Sequence, residues 1–162
     1  MNQPAGKVVA ISLSTKKGIP KTNVPAARLL EDWGLEGDVH AGPWHRQVSI
    51  LALESIEKMR AKGINVRPGA FAENITTECL DIPNLQIGDR MTIGGAELEI
   101  TQIGKECHTP CAIYHRVGDC VMPREGVFAR VLRGGEIHPC DAVQLHHILP
   151  DADNARNGVA GA

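Results

Sequence analysis

Three of the five cysteines, Cys107, Cys111 and Cys120, fall in one stretch together with His108 and His115. From Ile103 to Arg133 that stretch carries Lys105, Arg116, Arg124, Arg130 and Arg133 against Glu106, Asp119 and Glu125, a local charge of +2 in a chain whose net charge is −2. Positive surroundings stabilise a thiolate, which is the reactive form of cysteine. A thiolate here would act as a nucleophile, as a persulfide carrier or as a ligand to a soft metal. Pro110 precedes Cys111 and suits the first turn of a helix, where the helix dipole favours a thiolate and bound anions. Cys107, Cys111 and His115 are also spaced four apart, with His108 or Cys120 available as a fourth ligand, so structural zinc is a competing reading. Against zinc stand the lack of a C-x2-C pair and the interruption of a continuous helix by Pro110. Cys79, Cys120 and Cys140 read as plain packed thiols. An odd number of cysteines argues against a disulfide framework.

Two upstream stretches offer polar side chains on glycine-flanked backbone. In Gly34-Leu35-Glu36-Gly37-Asp38-Val39-His40-Ala41-Gly42, followed by His45-Arg46-Gln47, the glycines let backbone approach a ligand. Arg46, at the mouth of a strand, is placed to clamp a phosphate or carboxylate. In Pro68-Gly69-Ala70-Phe71-Ala72-Glu73-Asn74, Glu73 and Asn74 are neighbours in a strand-like run, so one of them is expected to face the core or a pocket.

These residues need a scaffold, and the apolar pattern predicts one made mainly of strands. Val9, Ile11 and Leu13 alternate over residues 7–13, and Gln47–Leu51 reads as another strand. Leu53, Ile56 and Met59 fall at helical spacing, with Gly63 placed to end that helix. Residues 14–46 are expected to hold loops and one or two short strands, and Phe71–Thr76 a further strand. Gly94-Gly95 between alternating runs predicts a hairpin, and Gly134-Gly135 repeats the device. Asp141–Ile148 is the expected last strand. The fold class is therefore mainly β: a closed or partly open barrel of about seven or eight strands with a few short helices.

At 162 residues with 43% hydrophobic and 22% charged residues, the chain has the makings of one globular domain, expected over 1–149 with a flexible tail at 150–162. Its slightly negative charge and 3% aromatic content argue against a nucleic-acid partner. No apolar run approaches the roughly 18–20 residues of a membrane helix, and no signal-peptide pattern opens the chain, so a cytoplasmic location without membrane attachment is expected. The dinucleotide fingerprint G-x-G-x-x-G is absent.

Taken in order, the stretches GLEGDVHAG with HRQVSIL, PGAFAENI, LQIGDRMTIGGAELEITQIGKECHTPC and PREGVFARVLRGGEIHPCDAV resemble the MOSC domain, the module named for the C-terminal part of molybdenum cofactor sulfurases. The likeness spans about residues 7–148, as a single-domain form without an attached sulfurase. It implies a β-barrel and one cysteine that carries sulfur as a persulfide or ligates the molybdenum of a bound pterin cofactor (molybdopterin). The apolar run after Cys111, leading to Gly118, matches that cysteine better than the surroundings of Cys107, which is kept as a second choice or resolving partner. The resemblance also places Arg46, Glu73, Asn74 and Arg130 near the pocket. Asp38 and His40 join Arg46 in this reading, with Lys105, Arg116, Arg124 and Arg130 as a cationic rim for the anionic cofactor. With few aromatics, a pterin is expected to be held by charge and hydrogen bonds rather than by stacking. Whether the protein is a small molybdenum-dependent oxidoreductase, supplied with electrons by a partner protein, or a non-catalytic module delivering cofactor or sulfur to another protein is left open. So is the oligomeric state. One departure is visible: the family has Gly-Asp before the last strand, and here Cys140-Asp141 stands there.

Overall fold

The run Val48-Ser49-Ile50-Leu51-Ala52 is buried along its whole length in the computed structural model, which describes residues 6–104 and 122–148. A strand with no exposed face needs cover on both sides, and this one has it. Val48, Ile50 and Ala52 point into the barrel, and Leu51 points outward under a helix.

The elements are β1 (Gly6–Leu13), β2 (Thr22–Val24), β3 (Ala27–Leu30), β4 (Gly34–Leu35), β5 (Val48–Ala52), α1 (Leu53–Ala61), β6 (Ile75–Glu78), β7 (Arg90–Ile93), β8 (Ala96–Ile103), α2 (Met122–Glu125), β9 (Val127–Arg133), β10 (Gly135–Ile137) and β11 (Ala142–His146). The main sheet runs β11-β7-β8-β9-β5-β6-β1-β2, and β11 pairs back onto β1. The result is a closed barrel of seven strands with β2 added outside the ring, while β10, β3 and β4 form a second small sheet. Every pair in the ring is antiparallel except β5–β6. A parallel pair needs a crossover, and α1 with the loop after it supplies one. Among the described residues α1 is the only helix longer than a single turn, and no helix there is long and apolar enough to cross a membrane.

Two apolar clusters result. The barrel interior holds Val8, Ile11, Ile50, Ile75, Met91, Leu98, Val127 and Leu145 among others. Outside the wall, Leu51 and Phe128 pack against Ile56 and Met59 of α1 and against Ile64, Val66 and Phe71. Each such side chain contributes roughly 1.5–3 kcal/mol by leaving water.

The predicted elements differ from these in informative ways. The helix forms as predicted, with Gly63 in the left-handed region (φ 94°) just past its end. In β1 the fully buried apolar side chains are Val8 and Ile11, three apart, because an extra residue at Val9 breaks the β1–β6 register and resets the alternation. Residues 14–46 form three short strands instead of one or two. The Gly94-Gly95 hairpin is present. Gly134-Gly135 makes no hairpin: β10 leaves β9 and pairs with β3. A Cβ on Gly134 would collide with the Leu29 carbonyl oxygen, so glycine is what permits that crossing. The strand expected over Phe71–Thr76 begins only at Ile75.

Candidate functional site

One end of the barrel gathers Ser12 and Ser14 at the end of β1, the loop 36–46 after β4, Ser49 of β5, and the loop 67–74 before β6. Backbone bonds fasten these pieces. Val39 N donates to Ser14 O (2.8 Å), Lys21 N to Gly69 O (2.9 Å), Ser12 N to Asn74 O (2.7 Å) and Asn74 N to Ser49 O (2.9 Å). Gly69 has φ 96°, and a Cβ there would lie 2.6 Å from Lys21 O, so this close approach requires glycine.

Asp38 is at the centre. Its Oδ1 accepts from Ser14 N (3.0 Å) and Lys21 Nζ (2.9 Å), and its Oδ2 accepts from His40 N (3.1 Å). Neither side chain of the Lys21–Asp38 pair is exposed to solvent. Burial alone pushes the Asp38 carboxyl up, but the bonds from Lys21 and Ser14 and the Lys21 charge outweigh it and hold it below its ordinary value. Lys21 Nζ also lies 2.9 Å from His40 Nδ1 and 3.4 Å from Ser14 Oγ.

Glu73 and Asn74 are both buried, where strand alternation required only one of them to face inward. Glu73 precedes the strand, in a loop where Ala72 has φ 64°, so strand alternation does not govern it. Its carboxyl accepts from Gly69 N (2.8 Å), Phe71 N (3.1 Å) and Thr76 Oγ1 (2.9 Å), which folds the loop back on itself. Burial is the larger influence and raises the Glu73 carboxyl above its ordinary value despite those bonds. Asn74 Oδ1 accepts from Ser49 N (3.0 Å) and Oγ (3.2 Å), and its Nδ2 donates to Ser12 O (3.1 Å), joining β1 to β5.

Arg46 lies beside this cluster. Its guanidinium carbon sits 4.7 Å from the Trp44 ring centre and 5.7 Å from that of Phe128, with Trp44 Nε1 donating to His40 O (2.8 Å). Phe128 is the register partner of Ser49. The Arg46 Nε is buried and has no acceptor among the described residues. A buried donor left unmatched costs about 1–3 kcal/mol, which an oxygen of an anionic ligand would offset.

The remaining predicted site residues divide. Arg130 is exposed on β9 and its Nε is engaged by Glu99 (2.7 Å), while Arg124 is exposed on α2. Cys107, Cys111, Lys105 and Arg116 lie outside the described residues, as do the ligands of the zinc reading, and no group of three metal-ligating side chains occurs among the described ones. Their segment departs at Gly104, whose N donates to Gly126 O (2.7 Å). That point adjoins the Arg46 loop. A register shift between Ile100 and Gln102 leaves Thr101 over, its hydroxyl donates to His45 O, and Gln102 Oε1 pairs with His45 Nε2 (2.9 Å). Cys79 and Cys140 are exposed rather than packed. Sequence reasoning missed Lys21, Trp44 and Phe128, the first because nothing in its neighbours distinguishes it from Lys16 or Lys17.

A family model, the MOSC domain, matches residues 36–144. The chain belongs to the MOSC domain family. That family is linked to molybdenum-cofactor and sulfur-related proteins. Among solved structures the chain is similar to the YuaD protein from Bacillus subtilis (18% identity, 90% of this chain and 98% of that one, TM-score 0.74). It is also similar to YiiM from Escherichia coli (21%, 92% and 73%, 0.66) and YiiM from Geobacillus stearothermophilus (23%, 88% and 75%, 0.67). At these identities the MOSC barrel itself is what is shared. No curated protein matches in sequence. At the barrel end the group that suits an anion is Arg46, a stacked guanidinium whose buried Nε has no acceptor among the described residues.

Proposed function

We propose that this MOSC protein binds the molybdenum–pterin cofactor at the barrel end, with Cys111 as the molybdenum ligand or, in a sulfur-carrying role, as the persulfide site. The bound group would supply redox chemistry at molybdenum. The observation that carries the reading is Arg46, held between Trp44 and Phe128 with a buried Nε that has no acceptor among the described residues, next to where the cysteine-bearing segment leaves β8. Arg46 clamps an anionic oxygen of the cofactor, and Trp44 gives Arg46 a ring to lie on. Asp38 and Asn74 hold the loops that form the pocket, and Glu73 folds the loop carrying Gly69. Lys105, Arg116, Arg124 and Arg130 form the cationic approach, and Cys107 stands by as the resolving thiol. Electrons for turnover come from a separate protein, because the chain lacks the nicotinamide fingerprint.

The test is the content of protein purified from cells that make the cofactor: molybdenum, pterin and cyanide-labile sulfur. Stoichiometric molybdenum and pterin are expected, with molybdenum lost in Cys111→Ser and pterin reduced at least tenfold in Arg46→Gln. Labile sulfur without metal would make the protein a sulfur carrier. One zinc, lost together with the fold on chelation, would displace both readings.

A further inference from the structure

We propose that His45 is a specificity-determining residue of the Arg46 pocket: Gln102 holds its ring proton on Nε2, and Nδ1 accepts a hydrogen bond from an N–H or O–H that the bound anion carries. A neutral imidazole has one donor and one acceptor nitrogen, and its surroundings decide which is which. His45 Nε2 lies 2.9 Å from Gln102 Oε1, and Gln102 Nε2 donates to Gly104 O (2.8 Å). A carbonyl oxygen only accepts, so the amide turns its NH2 toward Gly104 and its oxygen toward the ring. The reverse orientation would set two acceptors, Gln102 Oε1 and Gly104 O, against each other. Nε2 of His45 therefore bears a proton, and Nδ1 of the neutral ring is the acceptor. Among the described residues that Nδ1 has no hydrogen-bond partner.

The ring sits beside the Arg46 guanidinium. Gln102 and Phe128 are register partners on β8 and β9, so their side chains stand on one face of the sheet. His45 is bound to the first, and the Arg46 guanidinium carbon lies 5.7 Å from the ring centre of the second. Trp44 adjoins both: its ring centre is 4.7 Å from that carbon and 5.8 Å from the imidazole centre, with the two rings at 73°. The Thr101 hydroxyl donates to His45 O and pins the backbone to β8. The imidazole is thus oriented from β8 while its residue stays exposed to solvent. An anion meets one buried donor, Arg46 Nε, and beside it one acceptor. Such an acceptor disfavours an oxyanion without a proton and favours an anion that carries its own donor, as hydrogenphosphate does or a heterocycle with ring N–H groups. That the natural ligand is the anionic cofactor rests on the reading of the site given above.

The probes are inorganic phosphate and sulfate at about pH 8, above the ordinary imidazole range. Both are then mainly tetrahedral dianions, and only the phosphate keeps an O–H. The full chain is used without cofactor, with nitrogen-15 in histidine and tryptophan. Its two tryptophans are Trp33 and Trp44, so Trp33→Phe assigns the Trp44 indole N–H, which reports binding at Arg46. His45→Phe assigns the His45 ring signals. The Nε2–H pattern is expected for His45, and an Nδ1–H pattern or a doubly protonated ring in the wild-type protein overturns the proposal with no variant needed. Phosphate is expected to bind about fivefold more tightly than sulfate, the effect of one added hydrogen bond, and the two to become equal in His45→Phe. Equal affinities in the wild type, or a preference that survives His45→Phe, overturn the role of His45 and leave the anion pocket standing. In Gln102→Leu a mixture of both neutral forms is expected, and an unchanged pattern in a folded variant removes Gln102 as the positioning residue. Binding of neither ion by the wild-type chain overturns the pocket and this role with it.

Discussion

Asp38 carries more of this molecule than its size suggests, since its two oxygens hold two backbone N–H groups and a buried ammonium. Its carboxyl is held below its ordinary value, as is that of Asp89, which at the far side of the barrel accepts from Gln86 N, Ile148 N and His147 Nδ1. A carboxylate lowered in the folded state stabilises above its unfolded value of about 3.9, and that stabilisation fades as pH falls below it. Glu73 is raised, so it has the opposite sign: its contribution is complete at low pH and fades as pH rises from about 4.3 upward. It does not offset the loss below pH 4. The urea midpoint is therefore expected to fall as pH drops below about 4, and to fall less steeply in Asp38→Asn, which starts from a lower midpoint because the buried Lys21 loses its counter-charge. Equilibrium denaturation across that range checks both points. At this scale Asp38, His40 and Arg46 were legible because glycines flank them and their side chains are polar in an otherwise apolar approach to a strand. Lys21 was not, because its burial comes from Ser14, Asp38 and His40 meeting in space, which no local spacing records.

Among the elements, β5 was legible as a short apolar run buried on both faces, and β8 with the Gly94 turn as alternation that buries every second residue. Periodicity failed at β1 and at Gly134. In β1 one additional residue shifts the phase, and at Gly134 the chain changes sheets at a glycine whose need is set by Leu29, more than a hundred positions away. The turn before β11 was legible by its departure from the family pattern. Cys140 has φ 75°, a conformation glycine takes without strain, and the turn is held by Cys140 N to Val8 O (2.7 Å) and His138 N to Asp141 Oδ2 (2.8 Å). Cys140→Gly relieves about 1–2 kcal/mol of left-handed strain and gives back part of it through a freer unfolded chain. A net gain of roughly 1 kcal/mol, or about 2–4 °C in Tm, is expected by thermal denaturation.

For the whole molecule, closure depends on β11. It completes the ring through only two register pairs with β1, Gly6 with Val143 and Lys7 with Ala142, aided by Val8 N to Asp141 O (3.0 Å), and it brings Val143 and Leu145 into the interior. A chain stopped after Pro139 loses that strand, opens β1 and β7 to other chains and exposes the barrel interior. It is expected in the insoluble fraction on expression, and a soluble monomer with the wild-type urea midpoint would refute this account of closure. The same arrangement bears on synthesis. Of the barrel strands β1 is made first and one of its two ring neighbours, β11, is made last, with the rest of the barrel translated in between. At ordinary elongation rates that interval is on the order of ten seconds. During it the Gly6–Val8 edge has no final partner, so the nascent chain, more than the finished barrel, is the form in which this protein is exposed to aggregation.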